Sequence, residues 1–159
     1  MILDELLEFA DNESVAAAAG TALIGDVIDL GAVPPNMGAG TPVYLVVKTG
    51  ATEIITAGSA GTISFSLASD AQAAIATDGS ATVHATSASF VTDDSAANSD
   101  ALNAGERLLV VALPSGTYER YLGILCTIGT TTVTAGTIDA YLTTEQPFDH
   151  HAYPQGSDH

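Results

Sequence analysis

Short runs in which apolar residues alternate with polar ones constrain the fold of this chain more than any other feature. In residues 62–67 the alternation is strict, so that Ile63, Phe65 and Leu67 share one face and hydroxyl groups occupy the other. A period of two is the pattern of a strand with one buried face. The segment therefore predicts a half-buried β-strand.

Other segments carry similar strand patterns. Residues 42–49 are β-branched and aromatic, and residues 108–113 form a continuous apolar run that is typical of a central strand. We expect residues 118–128 and 132–143 to form a pair of strands joined by a short turn around Gly129. Weaker strand patterns lie at residues 14–19, 24–30 and 81–91.

Clusters of Gly, Pro, Ser and Asp separate these segments, and little helix is predicted. One short turn is capped by residues 69–72 and ends near Gly79, and the N-terminal segment forms either a short amphipathic helix or an extended arm. About eight short antiparallel strands with such turns predict an all-β protein, an antiparallel β-sandwich of jelly-roll type. A length of 159 residues suits one domain. We expect an N-terminal arm over residues 1–13, the jelly-roll domain over 14–145 and a C-terminal tail over 146–159.

The charge balance limits the possible partners. The chain has 19 acidic residues against three basic ones, a formal net charge of −16. Contacts to phosphates need clustered positive charge, so we expect no nucleic-acid partner and no docking on anionic membranes. The first nine residues are acidic and apolar, whereas a secretory leader begins with basic residues. We therefore expect the protein to be made in the cytoplasm.

Residue patterns typical of catalysis are weak in this sequence. Glycines flank Ser59 as in a nucleophile elbow, but the first glycine is out of register, and a hairpin turn is the simpler interpretation. Residues 93–100 offer oxygen ligands, yet alanines interrupt the spacing that a calcium loop requires. Cys126 has apolar neighbours and is expected to be a buried, inert thiol. We expect no catalytic residue and no cofactor.

The histidines do not predict a metal centre. Three of them, His150, His151 and His159, lie in the last residues of the chain, where they could bind a transition metal only weakly. A folded site would need ligands from converging strands. His84 lies among small residues of a predicted strand and is expected to have a structural role.

Both ends of the chain carry large apolar residues that could serve as anchors in an assembly. We expect them to contact neighbouring subunits, and the alternative is that both ends fold back onto their own domain. A carbohydrate-binding face is less favoured, because the chain has no Trp and only nine Tyr and Phe residues. The predicted interface residues are Ile2, Leu3, Leu6, Leu7, Phe9, Phe148 and Tyr153.

Several short motifs follow one another in a characteristic order along the chain. A Leu-rich start precedes an Asp-containing segment at residues 11–21 and the motif at 27–31, and a Pro/Gly loop then leads to the strand around Tyr44. The later motifs are residues 113–114, 120–123, the Gly129 turn and 136–142 before Gln146. This order resembles that of the small cement proteins of the Bordetella-phage type, found in short-tailed and related phages with HK97-like capsids.

This resemblance implies a jelly-roll homo-oligomer, dimer or trimer, on the outer surface of a capsid, where it would clamp adjacent subunits of the major capsid protein. It implies turn-forming roles for Asp29 and Gly31 and core or sheet positions for Tyr121 and Leu122. The resemblance implies no catalytic residue in this chain. The alternative hypothesis is a glycan- or receptor-binding β-sandwich module of a virion or cell surface.

Overall fold

The computed structural model describes residues 5–33, 40–56, 61–92, 99–145 and Pro147, and these form nine strands and two short 3₁₀ turns. The turns are Glu5–Leu7 and Ser99–Leu102. The strands are β1 Glu8–Ser14, β2 Gly20–Asp29, β3 Tyr44–Thr49, β4 Thr62–Asp70, β5 Thr82–Thr86, β6 Phe90–Val91, β7 Arg107–Ala112, β8 Tyr121–Gly129 and β9 Thr137–Thr143.

The strands form two antiparallel sheets whose pairing defines the fold. The first sheet has the order β1-β9-β3-β7, and the second has the order β2-β8-β4-β5 with β6 also paired to β4. The first strand thus pairs with the last, the second with the eighth, the third with the seventh, and the fourth with the fifth and sixth. This is one long hairpin of the chain wrapped into a two-sheet sandwich, which is the jelly roll that the sequence predicts.

The core lies between the two sheets and is built from alternate residues of each strand. On β4, Ile63, Phe65 and Leu67 are each 0% exposed, which confirms the inward face predicted from their spacing. On β9, Ile138 and Ala140 are equally buried. Each fully buried Ile, Leu or Phe side chain contributes about 1.5–3 kcal/mol to the free energy of unfolding.

The pairing of the last two long strands differs from the prediction. They do not form a hairpin around Gly129, because β8 belongs to the second sheet and β9 to the first. Residues 130–136 instead cross between the sheets, where Val133 is 1% exposed and donates its backbone N–H to Ala17 at 3.0 Å. The crossing lets β8 pair with strands on both of its sides and lets both strands turn an apolar face to the same core.

Two further predicted elements are wrong in position or type. The strand expected at residues 14–19 begins instead at Glu8, so residues 8–13 belong to the sandwich and the predicted N-terminal arm is shorter than expected. No helical turn follows β4. The carboxylate of Asp70 accepts the backbone N–H groups of Gln72 and Ala76 at 3.1 and 3.0 Å. The irregular loop that they shape places Ile75 on the second sheet's outer face, beside Leu125.

Candidate interaction surfaces

The N-terminal turn presents exposed leucines, as the sequence predicts, but the residue that follows it does not behave as an anchor. Leu6 is 78% exposed and Leu7 is 37% exposed, on a turn that lies against β9. Phe9 is 1% exposed and belongs to the main core, so its prediction as an interface residue is wrong. It is buried because β1 is a strand of the sandwich, and Phe9 points between the sheets. Ile2, Leu3, Phe148 and Tyr153 lie outside the described residues.

An acidic groove of about 390 Å³ lies between β1 and β2. The carboxylates that line it are Glu5, Glu8, Asp11 and Asp26. Burial raises the pKa of Glu8, and repulsion from Asp11, Asp139 and Glu5 raises it further. Like charges are therefore concentrated in this groove, which disfavours the approach of an acidic surface.

The outer face of the first sheet carries an apolar row that the sequence analysis did not identify. Val46 of β3 pairs with Tyr141 of β9 on one side and Val110 of β7 on the other. Val46 is only 2% exposed and Tyr141 8%, although both lie on the face turned away from the core. The signal was present in the sequence, since residues 43–47 are continuously apolar and do not alternate.

A charged pair borders this row. Lys48 lies 3.0 Å from the Asp139 carboxylate, whose other oxygen accepts the backbone N–H of Asn12 at 2.7 Å. The pair is partly exposed and therefore contributes little to stability. It does fix the side chain of Asp139 across the bulge of β1, and so helps to hold that edge strand on the sheet.

A second ion pair closes the turn after β2. Arg120 donates two hydrogen bonds to the Asp29 carboxylate, at 2.9 and 2.8 Å, and its guanidinium lies 4.9 Å from the ring centroid of Tyr121. Asp29 also accepts the backbone N–H of Gly31, whose φ is 88°. The turn roles that the resemblance implies for Asp29 and Gly31 therefore agree with the structure. Leu122, 0% exposed on β8, is a core position.

Of the candidate reactive groups, Cys126 is buried and His84 is partly buried. Cys126 is 2% exposed, and burial raises the pKa of its thiol to about 12, so it remains a protonated, inert thiol at neutral pH. His84 Nε2 lies 2.8 Å from Ser69 Oγ, and the imidazole stacks on Tyr118. Within the described ranges, no group of three or more His, Cys, Asp and Glu side chains could hold a metal ion. Ser59, residues 93–98 and the three C-terminal histidines lie outside those ranges.

Comparison with known proteins gives a family match over most of the chain. The family model described as Bbp16 matches residues 9–142. The matched span starts in β1 and ends in β9, so it takes in the whole sandwich. No curated protein matches the chain at a significant level. In the part of the chain that the structure describes, no helix is long and apolar enough to cross a membrane.

Proposed function

The chain belongs to the Bbp16 family of Bordetella phage proteins, and from this membership we propose that it is a structural protein of a phage virion. In this proposal it binds the outer surface of an HK97-like capsid and cements neighbouring subunits of the major capsid protein. The observation that carries the proposal is the family match, because it spans both sheets of the jelly roll and not one short motif.

The sandwich has properties that suit such a clamp. The two sheets enclose a core in which Phe65, Leu45 and Leu122 are completely buried, as expected for a close-packed domain of low compressibility. Leu6 and Leu7 are exposed beside it and could be covered by a capsid subunit. Covering a fully exposed leucine side chain contributes about 1.5–3 kcal/mol to binding, which is about tenfold or more in affinity. Leu6 can gain most of this, and Leu7, which is 37% exposed, about a third.

The proposed partners follow from the same features. They are the major capsid protein and further copies of this chain, and they include neither nucleic acid nor membrane, because the net charge is −16. The proposal involves no catalytic step and no cofactor. Ser69, which is hydrogen-bonded to His84, is 0% exposed and therefore out of reach of a substrate.

Adding the purified chain back to capsids that lack it tests the proposal. We expect it to bind at a fixed ratio to the major capsid protein and to raise the temperature at which the shells break open. Shells that take up none of the chain, in conditions where the chain is folded, would refute the cement role.

A pair of surface variants locates the contact. The double variant Leu6→Ser with Leu7→Ser changes exposed residues and should leave the unfolding midpoint close to that of the native chain. Its affinity for capsids should fall about a hundredfold if both leucines are covered. Val83→Ser is the matched control, because Val83 is 53% exposed on β5 of the other sheet. Equal binding by the two variants would show that the N-terminal turn is not part of the contact. The cement role itself is tested separately, by the add-back experiment.

Truncation should be made before β1. Removing residues 1–7 takes away the exposed leucines, whereas removing residues 1–9 would also delete Phe9 from the core. We expect the shorter deletion to bind as weakly as the double leucine variant and to remain folded. The longer deletion should be less stable, since loss of a buried Phe side chain costs about 3–5 kcal/mol.

A further inference from the structure

One polar cluster ties three parts of the chain together at the end of the second sheet. Ser69 is in β4, His84 is in β5, and Tyr118 and Glu119 precede β8. Ser69 Oγ lies 2.8 Å from His84 Nε2 and accepts the backbone N–H of Glu119 at 3.1 Å. The rings of His84 and Tyr118 stack with centroids 3.9 Å apart and planes 18° apart. Thr82 donates its hydroxyl to the Glu119 carboxylate at 2.8 Å.

The hydrogen bonds favour one placement of the protons. The backbone N–H of Glu119 can only donate, so Ser69 Oγ is the acceptor in that bond. Ser69 is 0% exposed, and a buried hydroxyl proton is normally paired with an acceptor inside the protein. Among the described residues His84 Nε2 lies in position to accept it, and we infer the tautomer that does so, a neutral imidazole with its proton on Nδ1.

A second proton on His84 would disrupt this arrangement. It would bind to Nε2 and turn that atom from an acceptor into a donor. Two donors, the backbone N–H of Glu119 and the imidazolium, would then face Ser69 Oγ, and the buried hydroxyl proton would lose the acceptor that His84 Nε2 provides. An unsatisfied buried polar group is costly, so the cluster favours the neutral histidine.

The surroundings of His84 also favour the neutral imidazole. Burial lowers its pKa, and the Glu119 carboxylate opposes this by raising it. The net pKa lies below 6.5. The titratable groups packed on the imidazole are Glu119 and Tyr118, both from the segment before β8, while β4 contributes the uncharged Ser69. Burial raises the pKa of Tyr118, which remains a neutral phenol.

We propose that Ser69, His84 and the segment 113–119 form a pH-operated latch, closed while His84 is neutral and opened when it is protonated. The segment is fastened at both ends, because Leu113 is 4% exposed and Tyr118 is 2% exposed in the main core. Tyr118 also donates its hydroxyl to the Pro114 carbonyl at 2.8 Å, a hydrogen bond within the segment. In this proposal, opening releases the Glu119 end of the segment from Ser69 of β4, while Leu113 and Tyr118 stay in the core.

The latch gives a defined pH window. The folded-state pKa of His84 is lowered, so the stabilisation it provides is complete above the unfolded value of 6.5 and is lost as pH falls through the folded value. This inference does not depend on the proposed function, since it concerns the chain alone.

Titration of the full-length chain by NMR tests the latch. We expect the His84 ring signal, assigned by its loss in His84→Gln, to titrate with a midpoint below 6.5. In Ser69→Ala the hydroxyl that donates to Nε2 is gone, so the midpoint should move up. A native midpoint at or above 6.5, or one that Ser69→Ala leaves unchanged, would overturn the proposal.

Amide exchange gives a second readout that a merely structural histidine would not move. Between pH 7.5 and one pH unit below the measured His84 midpoint, protection of the Glu119 amide, corrected for intrinsic rates, should fall several-fold, while that of Leu122 in β8 stays constant. In His84→Gln the amide oxygen can accept from Ser69 but does not titrate, so protection should no longer depend on pH. Constant protection of Glu119 in the native chain would contradict the latch. This measurement uses the native chain alone and therefore does not depend on whether a variant folds.

Discussion

The substitution Gly25→Ala tests the corner at which β1 passes close to β2. Gly25 has a φ of 66°, a conformation that residues with a side chain rarely adopt. A Cβ at this position would overlap the carbonyl oxygen of Phe9 and lie 3.0 Å from the Phe9 carbonyl carbon. Both are backbone atoms of β1, so rotation of a side chain cannot relieve the overlap.

The expected cost has two parts. The left-handed conformation costs an alanine about 1–2 kcal/mol. Forcing the two backbones apart adds about 1–3 kcal/mol, the usual range for overpacking. Gly31→Ala is the matched control, because Gly31 has a φ of 88° but nothing within 4 Å of the added Cβ, and it should show the first part alone. The difference in the free energy of unfolding between the variants should therefore be about 1–3 kcal/mol.

Urea unfolding of the native chain and the two variants measures that difference. We expect the midpoint to fall in the order native, Gly31→Ala, Gly25→Ala, with equal slopes if the unfolded state is unchanged. In thermal unfolding, each 1 kcal/mol corresponds to about 2–4 °C for a chain of this size. If Gly25→Ala is no less stable than Gly31→Ala, β1 does not approach β2 as described.

Three further results are expected. The Cys126 thiol, with its pKa raised to about 12 by burial, should resist alkylation at pH 8 until the chain unfolds; reaction at the rate of a free thiol would contradict its burial. The hydrogen bonds from Arg120 and then Gly31 lower the pKa of Asp29 from 3.8 to about 2, so their stabilisation is complete above pH 3.8 and is lost as pH falls towards 2. Asp29→Asn should lose that part of the pH dependence in acid unfolding, and an unchanged profile would refute the assignment. Because the net charge is −16, added salt should raise the melting temperature by screening self-repulsion, and a flat or falling response would count against this.

The strands with one buried face were readable from the sequence. Ile63, Phe65 and Leu67 are spaced by two, and the sheet buries every second residue, so the pattern and the core coincide. Where a strand is shielded on both faces the pattern is lost. Val46 is an example, because its run is continuously apolar and does not show which residues face outward.

Pairing between strands was less readable, because it depends on partners distant in the chain. Gly129 ends β8 as expected, yet a turn residue does not decide whether the next strand stays in the same sheet. The sheet that each strand joins depends on which other strands it can pair with. β8 takes β2 and β4 as its neighbours, and β9 takes β1 and β3, so residues 130–136 must cross the sandwich.

The predicted interface residues that the structure describes differ in exposure. Leu6 and Leu7 are exposed, whereas Phe9 is buried, because β1 is a strand of the first sheet that the sequence pattern does not predict. The cluster of Ser69 and His84 was not predicted at all. The two residues are 15 positions apart, on strands that meet only after folding, and the third member, Tyr118, comes from yet another segment.

The stoichiometry of this chain in purified particles tests whether it is a fixed component of a phage capsid. Particles would be banded on a density gradient, and the copies of this chain per major capsid protein counted by quantitative mass spectrometry, before and after a mild wash that strips the chain. We predict one constant ratio across the particle peak and a loss of heat resistance in the stripped shells. A chain that stays at the top of the gradient as a small free species would contradict the proposed capsid role.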